Sequence, residues 1–134
     1  NLIKKTKQRN LKNVIFLPAQ PKTSIPLVWS LCDVALVHLK NSVVFSQVIP
    51  SKIFEAMAMG LPILVASPDG EASNLINKHK VGIHVPAENP KVLAHAIKKL
   101  HNDSKLRVFF SQNSVKSARI YSREKQASSM ISIL

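Results

Sequence analysis

The run Pro50-Ser51-Lys52-Ile53-Phe54-Glu55-Ala56-Met57-Ala58-Met59-Gly60-Leu61-Pro62-Ile63-Leu64-Val65-Ala66 decides the fold. Ser51 is a residue type that caps helices, and the spacing predicts a helix from there through Met59. Gly60-Leu61-Pro62 then reads as a helix stop followed at once by a strand start. The strand from Pro62 to Ala66 is apolar without alternation, as a strand covered on both faces must be. Helix, sharp stop and doubly buried strand together predict α/β.

Working outward, the same two rhythms repeat. Short β-rich runs occur at Val14-Ile15-Phe16-Leu17, Val34-Ala35-Leu36-Val37 and Gly82-Ile83-His84-Val85. Ser24 suits the start of a helix through about Leu31, and Asp69 or Gly70 the start of one through about Lys78. Strands separated by helices predict a doubly wound parallel sheet of the Rossmann kind. After Pro86 the pattern is purely helical. Pro90 suits a first turn, and Val92, Ala96, Ile97 and Leu100 share one helix face. Further helices are predicted over 104–119 and 122–134, the last with an apolar stripe of Ala127, Met130, Ile131 and Leu134. No internal repeat, low-complexity tract or linker interrupts the chain.

At 134 residues, 46% of them hydrophobic, the chain fits one domain with a core of ordinary size. Its single cysteine, Cys32, excludes an internal disulfide and a C-x-x-C metal site, and its apolar neighbours predict a buried thiol. The apolar runs are too short for a transmembrane helix. The opening Asn1-Leu2-Ile3 lacks an initiator Met or signal peptide, so an excised piece of a larger protein is expected. A net charge of +12, with 19 Lys and Arg against 7 acids, favours anionic partners such as phosphate esters, acidic lipids or nucleic acid. The cations are dense before Asp33 (Lys4, Lys5, Lys7, Arg9, Lys12 and Lys22), where a solvated helix face is the plain alternative to a binding surface.

In an open parallel sheet, ligands bind beyond the carboxyl ends of the strands. The connection after Val37 runs through Asn41 to Ile49 and enters a helix at Pro50-Ser51-Lys52. A helix start exposes unpaired N–H groups and partial positive charge, which suit a phosphate, and Lys52 adds a full charge. Glu55, one turn after Ser51, cannot bind phosphate but accepts hydrogen bonds from sugar hydroxyls. Phosphate donors beside a hydroxyl acceptor suit a nucleoside diphosphate with its ribose; an ordinary capped surface helix is the alternative. A second candidate is Ser67-Pro68-Asp69-Gly70-Glu71-Ala72. There Gly70 lets backbone approach a ligand and Glu71 stands at a helix start, although a plain strand-to-helix turn with acidic capping reads equally well. The five histidines lack metal-ligand spacing, and the three glycines form no phosphate loop or nucleophile elbow.

The segment from Pro50 to Ile63 resembles the donor-site helix of group 1 (family 4) retaining glycosyltransferases. Asn13-Val14-Ile15-Phe16-Leu17-Pro18 is similar to the family's strand facing the nucleotide base, and Cys32-Asp33-Val34-Ala35-Leu36 to the strand before the donor loop. Gly82-Ile83-His84-Val85-Pro86, then Ala94-His95-Ala96-Ile97, resemble its closing strand and helix. The P-S-K variant before the glutamate is similar to L-fucosamine transferases of bacterial surface-polysaccharide assembly, including lipopolysaccharide and capsule. The resemblance implies a GT-B architecture of two Rossmann-like domains. This chain would be a single nucleotide-sugar-binding domain over 1–134, lacking the N-terminal acceptor domain. It would also lack its own first strand and helix, which carry a basic pair that grips the diphosphate, and would be inactive alone.

By the same resemblance, Glu55 matches the second glutamate of an E-x7-E motif, the one that holds the ribose hydroxyls. The first falls at Gln47, whose amide can hydrogen-bond but brings no charge, so its catalytic part is open. Ile49, Pro50, Ser51 and Lys52 align with the diphosphate-contacting turn, where Pro50 has no N–H to give. Leu17 and Pro18 would line the base. The implied reaction is retaining transfer of a hexosyl or N-acetylaminosugar group from a nucleoside-diphosphate sugar, UDP favoured, to a glycan or lipid-linked acceptor. No metal or other cofactor is expected. The implied setting is cytoplasmic, and the basic surplus allows attachment at the inner face of the plasma membrane. The alternatives are a nucleotide-sugar epimerase-like GT-B domain, or a basic α/β module binding nucleic acid or membrane. With one Trp and one Tyr, the chain offers nucleic acid no stacking platform, and none is expected as a partner.

Overall fold

A computed structural model describes residues 1–122. The predicted helix over 122–134, with its stripe of Ala127, Met130, Ile131 and Leu134, lies almost wholly outside the described residues. The architecture is α/β, as predicted. Strands β1 (Ala35–His38), β2 (Ile63–Ser67) and β3 (Gly82–Pro86) form a parallel sheet in that order. Its register pairs Ala35 with Ile63 and Ile63 with Gly82. At Gly82 a Cβ would collide with the Ile63 carbonyl, so the close approach of β2 and β3 requires glycine there. The centre of the sheet is the fully buried β2.

Helices cover both faces. The first face carries α2 (Ile25–Ser30), α4 (Ser51–Ala58) and α5 (Glu71–His79), whose Trp29, Ile53, Met57, Leu75 and Ile76 pack over Ala35, Val37, Ile63 and Val65. Cys32 joins the rim of this cluster and is half-buried rather than fully enclosed; its Sγ donates to the Val28 carbonyl. The second face carries α6 (Pro90–Asn102) and the start of α7 (Ser104–Ala118), with Ala96, Leu100 and Phe110 over Leu64, Ala66 and Val85. Of the predicted α6 stripe, Ala96 and Leu100 are buried while Val92 and Ile97 stay exposed.

The local chemistry explains the boundaries. Gly60 turns left-handed (φ 69°), and the N–H groups of Gly60 and Leu61 donate to the carbonyls of Met57 and Ala56, a Schellman stop feeding directly into β2. Ser114 Oγ–H, on α7, donates to the carbonyl of Leu61 and anchors that turn. Asn89 Oδ1 accepts the Val92 N–H to open α6, and Asp103 Oδ1 accepts the Leu106 N–H to open α7.

One predicted strand does not form. Val14 to Leu17 is irregular and exposed, with Ile15 at 83% relative accessibility. A strand needs a ladder partner and a face to bury. Among the described residues no strand pairs with this segment, and Val14 and Phe16 instead share a surface depression with Ile3 and Thr6. The chain before it forms a short basic helix, α1 (Leu2–Gln8), capped by Asn1.

Candidate functional site

Because α4 follows β1, its first turn stands at the carboxyl edge of the sheet. The cap position belongs to Pro50, in extended conformation, and Ser51 is the first helical residue rather than the cap. Proline brings neither an N–H nor a capping side chain, and no side chain closes this end. The amides of Ser51 and Lys52 thus stand at an open helix start, the positive end of the helix dipole. Ser51 and Lys52 are exposed, while Ile49 and Pro50 are half-buried and Ile49 packs against the core.

Glu55 lies one turn inside α4. Its Oε2 accepts a hydrogen bond from Trp29 Nε1–H at 3.4 Å. Trp29 in turn lies one turn inside α2, whose N-terminus also stands at the carboxyl edge because β1 follows it. Between the two helices opens a cavity of about 580 Å³ lined by Lys22, Pro26, Trp29, Ser51, Glu55 and Met59, with Ile25 and Ala58. Two features predicted from spacing alone, the helix start at Ser51 and the carboxylate at Glu55, therefore share one concavity with a cation and an aromatic ring.

The other predicted site residues are distributed around that edge. The connection from β1 folds a single helical turn, α3 (Val43–Ser46), opened by Ser42 Oγ accepting the Phe45 N–H. Gln47 ends this turn and is exposed. The same connection is pinned at its start, where Glu88 Oε1 accepts the Asn41 N–H at 3.3 Å. The loop after β2 meets it from the other side: a Cβ at Gly70 would strike the Ser46 carbonyl oxygen. Gly70 also caps α5, its N–H donating to Ser73 Oγ and its carbonyl accepting the Ser73 hydroxyl. Glu71 is exposed in the first turn of α5. His84 links the base of this loop to β3 through a hydrogen bond between its Nε2 and the Ser67 carbonyl, with its Nδ1 3.8 Å from the exposed Asp69.

Leu17 and Pro18 are not brought to the cavity; both are exposed in the irregular connection before α2. Conversely, Lys22 and Trp29 line it although the sequence reading passed over them as site residues. Lys22 was submerged in the basic N-terminal run. The signal for Trp29 was its position one helical turn from Ile25 on the helix preceding β1, which composition alone hides. A second depression of about 450 Å³, lined by Val34, Leu36, Ile97 and Arg107 among others, lies on the opposite face at the amino end of the strands. There the Arg107 guanidinium closes the end of α6 by donating to the Leu100 and His101 carbonyls. Asp33 and His101 also line that depression, but it lies away from the carboxyl edge at which open parallel sheets bind ligands.

Among the described residues, no three His, Cys, Asp or Glu side chains converge as metal ligands. No described helix is long and apolar enough to cross a membrane. The family model described as "Glycosyl transferases group 1" matches residues 1–117. A search of curated proteins returns no match to the chain.

Proposed function

The chain belongs to the group 1 glycosyltransferases, and from that premise we propose that it is the donor-binding domain of a two-domain GT-B enzyme. Its activity is glycosyl transfer; the donor, stereochemistry and acceptor that follow are part of the proposal. The donor is a nucleoside-diphosphate sugar, with UDP favoured. The transfer is retaining, of the family 4 kind, to a glycan or lipid-linked acceptor in bacterial surface-polysaccharide assembly, and the P-S-K variant before Glu55 aligns it with transferases of L-fucosamine.

One observation carries this assignment: Ser51 and Glu55 line a single cavity with Lys22 and Trp29. In it, the Glu55 carboxylate accepts hydrogen bonds from the ribose hydroxyls. The amides of Ser51 and Lys52, with the Lys22 and Lys52 ammonium groups, face the diphosphate. In the reaction the bond from the anomeric carbon to the diphosphate oxygen breaks and the leaving group takes the electron pair. The acceptor hydroxyl oxygen bonds to that carbon and its proton passes to the departing diphosphate oxygen. The helix start and the cations stabilise the charge that builds on the diphosphate, and no metal is assigned a part. Gln47 positions the donor sugar by hydrogen bonding, and the loop of Gly70 and Glu71 closes the far side.

Calorimetric titration of the protein with UDP, GDP and ADP and with their sugar conjugates tests this assignment. Binding of one nucleoside diphosphate, weakened by Glu55→Ala, is expected. Absence of binding to all three removes the donor-site assignment.

A further inference from the structure

We propose that Trp29 is the positioning residue for the Glu55 carboxylate, and so sets the preference of this site for a ribonucleotide over its 2′-deoxy counterpart. The inference rests on the donor-site assignment above. Glu55 is an exposed side chain with three rotatable bonds, and left alone it would sample many rotamers. A ligand's vicinal hydroxyls would then have to order it on binding. The structure shows one contact that removes this freedom, the indole Nε1–H donating to Oε2.

The geometry divides the labour between the two carboxylate oxygens. A carboxylate has about four lone-pair sites, so one hydrogen bond to Oε2 leaves Oε1 and the second lone pair of Oε2 for a diol. The indole has a single N–H and no acceptor, so it can hold the carboxylate without competing for the ligand's own hydroxyl protons as an acceptor. Trp29 is itself held: it packs against the core cluster under α2 while lining the cavity. A rigid donor on the core thus sets the orientation of a flexible acceptor at the surface. At 3.4 Å the bond is long, as site hydrogen bonds often are before ligand draws the groups together.

The sequence makes the test clean, because Trp29 is the only tryptophan in the chain. The affinities of UDP and 2′-deoxy-UDP are measured for wild type and Trp29→Phe, which keeps an aromatic ring and removes the N–H. Wild type is expected to prefer the ribonucleotide, and Trp29→Phe to lose about fivefold for UDP and distinctly less for the deoxy form, which keeps only the 3′-hydroxyl. Equal losses for both nucleotides, or none for either, overturn the proposal. A second readout does not depend on how Trp29→Phe folds. In ¹H–¹⁵N spectra the one indole N–H resonance should shift upfield in Glu55→Gln and move on UDP addition to wild type. A resonance indifferent to both changes also overturns it. If wild type binds neither nucleotide, the donor-site assignment fails instead, and the two failures are thereby distinguished.

Discussion

Ser46 and Gly70 meet backbone to backbone, so closely that a methyl group at Gly70 would run into the Ser46 carbonyl oxygen. The two residues belong to the loops that follow neighbouring strands, β1 and β2. Their contact locks the predicted donor loop, with Gln47 and the Pro50–Ser51 entry to α4, against the start of α5. The loops that follow β1 and β2 are therefore in direct contact at the carboxyl edge.

Gly70→Ala must push these loops apart. Overpacking of this kind costs about 1–3 kcal/mol, and thermal melts should show Tm lowered by roughly 3–10 °C. Nucleoside-diphosphate affinity should fall as well. A variant with unchanged Tm would show that the loops do not touch in solution.

Glu55→Ala removes the proposed ribose acceptor from an exposed position. Loss of hydrogen bonds to a charged group should raise donor KM about tenfold to a hundredfold in the full enzyme. Because the side chain carries no core packing, Tm should move by less than about 2 °C. Unchanged donor kinetics would remove Glu55 from the site.

Ser114→Ala tests the scaffold rather than the site. Ser114 is fully buried at 0% accessibility, and its hydroxyl donates to the Leu61 carbonyl at 2.8 Å. Leaving that carbonyl unsatisfied costs about 1–2 kcal/mol. Tm should fall by roughly 3–8 °C while nucleotide affinity, measured by calorimetry, stays within about twofold, because this turn lies at the opposite end of the strands.

His79 predicts a pH dependence of stability. Its Nε2 is hydrogen-bonded to the Tyr121 hydroxyl at 2.7 Å, and Tyr121 in turn packs on Phe54. Burial, and then the neighbouring Lys78 ammonium, lower the His79 pKa below its ordinary value of 6.5. The unfolded chain thus binds the proton more readily than the folded one. The contribution is fully present above about pH 6.5 and is lost as pH falls through the lowered folded value. Tm should drop on going from pH 7 to pH 5, and drop less in His79→Gln. Equal drops in the two proteins would mean that other groups carry the effect.

Much of the fold was legible because it is local. Gly60 before Leu61-Pro62 stops α4 through one left-handed residue and two short-range hydrogen bonds, which depend on no distant partner. Asn89 before Pro90 opens α6 for the same reason. The strand expected at Val14–Leu17 does not form because strand formation is not local. Its residues have the right propensity, but propensity describes fit to a pleated, half-buried surface that another segment must supply. Ser51 was misassigned as a cap by a single position, the usual uncertainty of helix ends.

For the candidate site, the spacing of Ser51 and Glu55 is enough to put a helix start and a carboxylate one turn apart on one face, because 3.6 residues make a turn in any α-helix. Which groups face them is not a property of that helix. Lys22 arrives from the turn leading into α2 and Trp29 from α2 itself, both more than twenty residues upstream, while Gly70, from the loop after β2, meets the donor loop at Ser46. They meet there only because β1 and β2 are paired in parallel and α2 and α4 lie on the same face of the sheet with the cavity between them. The α/β rhythm and the chemistry of α4 are written locally into the chain, whereas the contact of Trp29 with Glu55 and of Ser46 with Gly70 arises from elements distant in sequence meeting at one edge of the sheet.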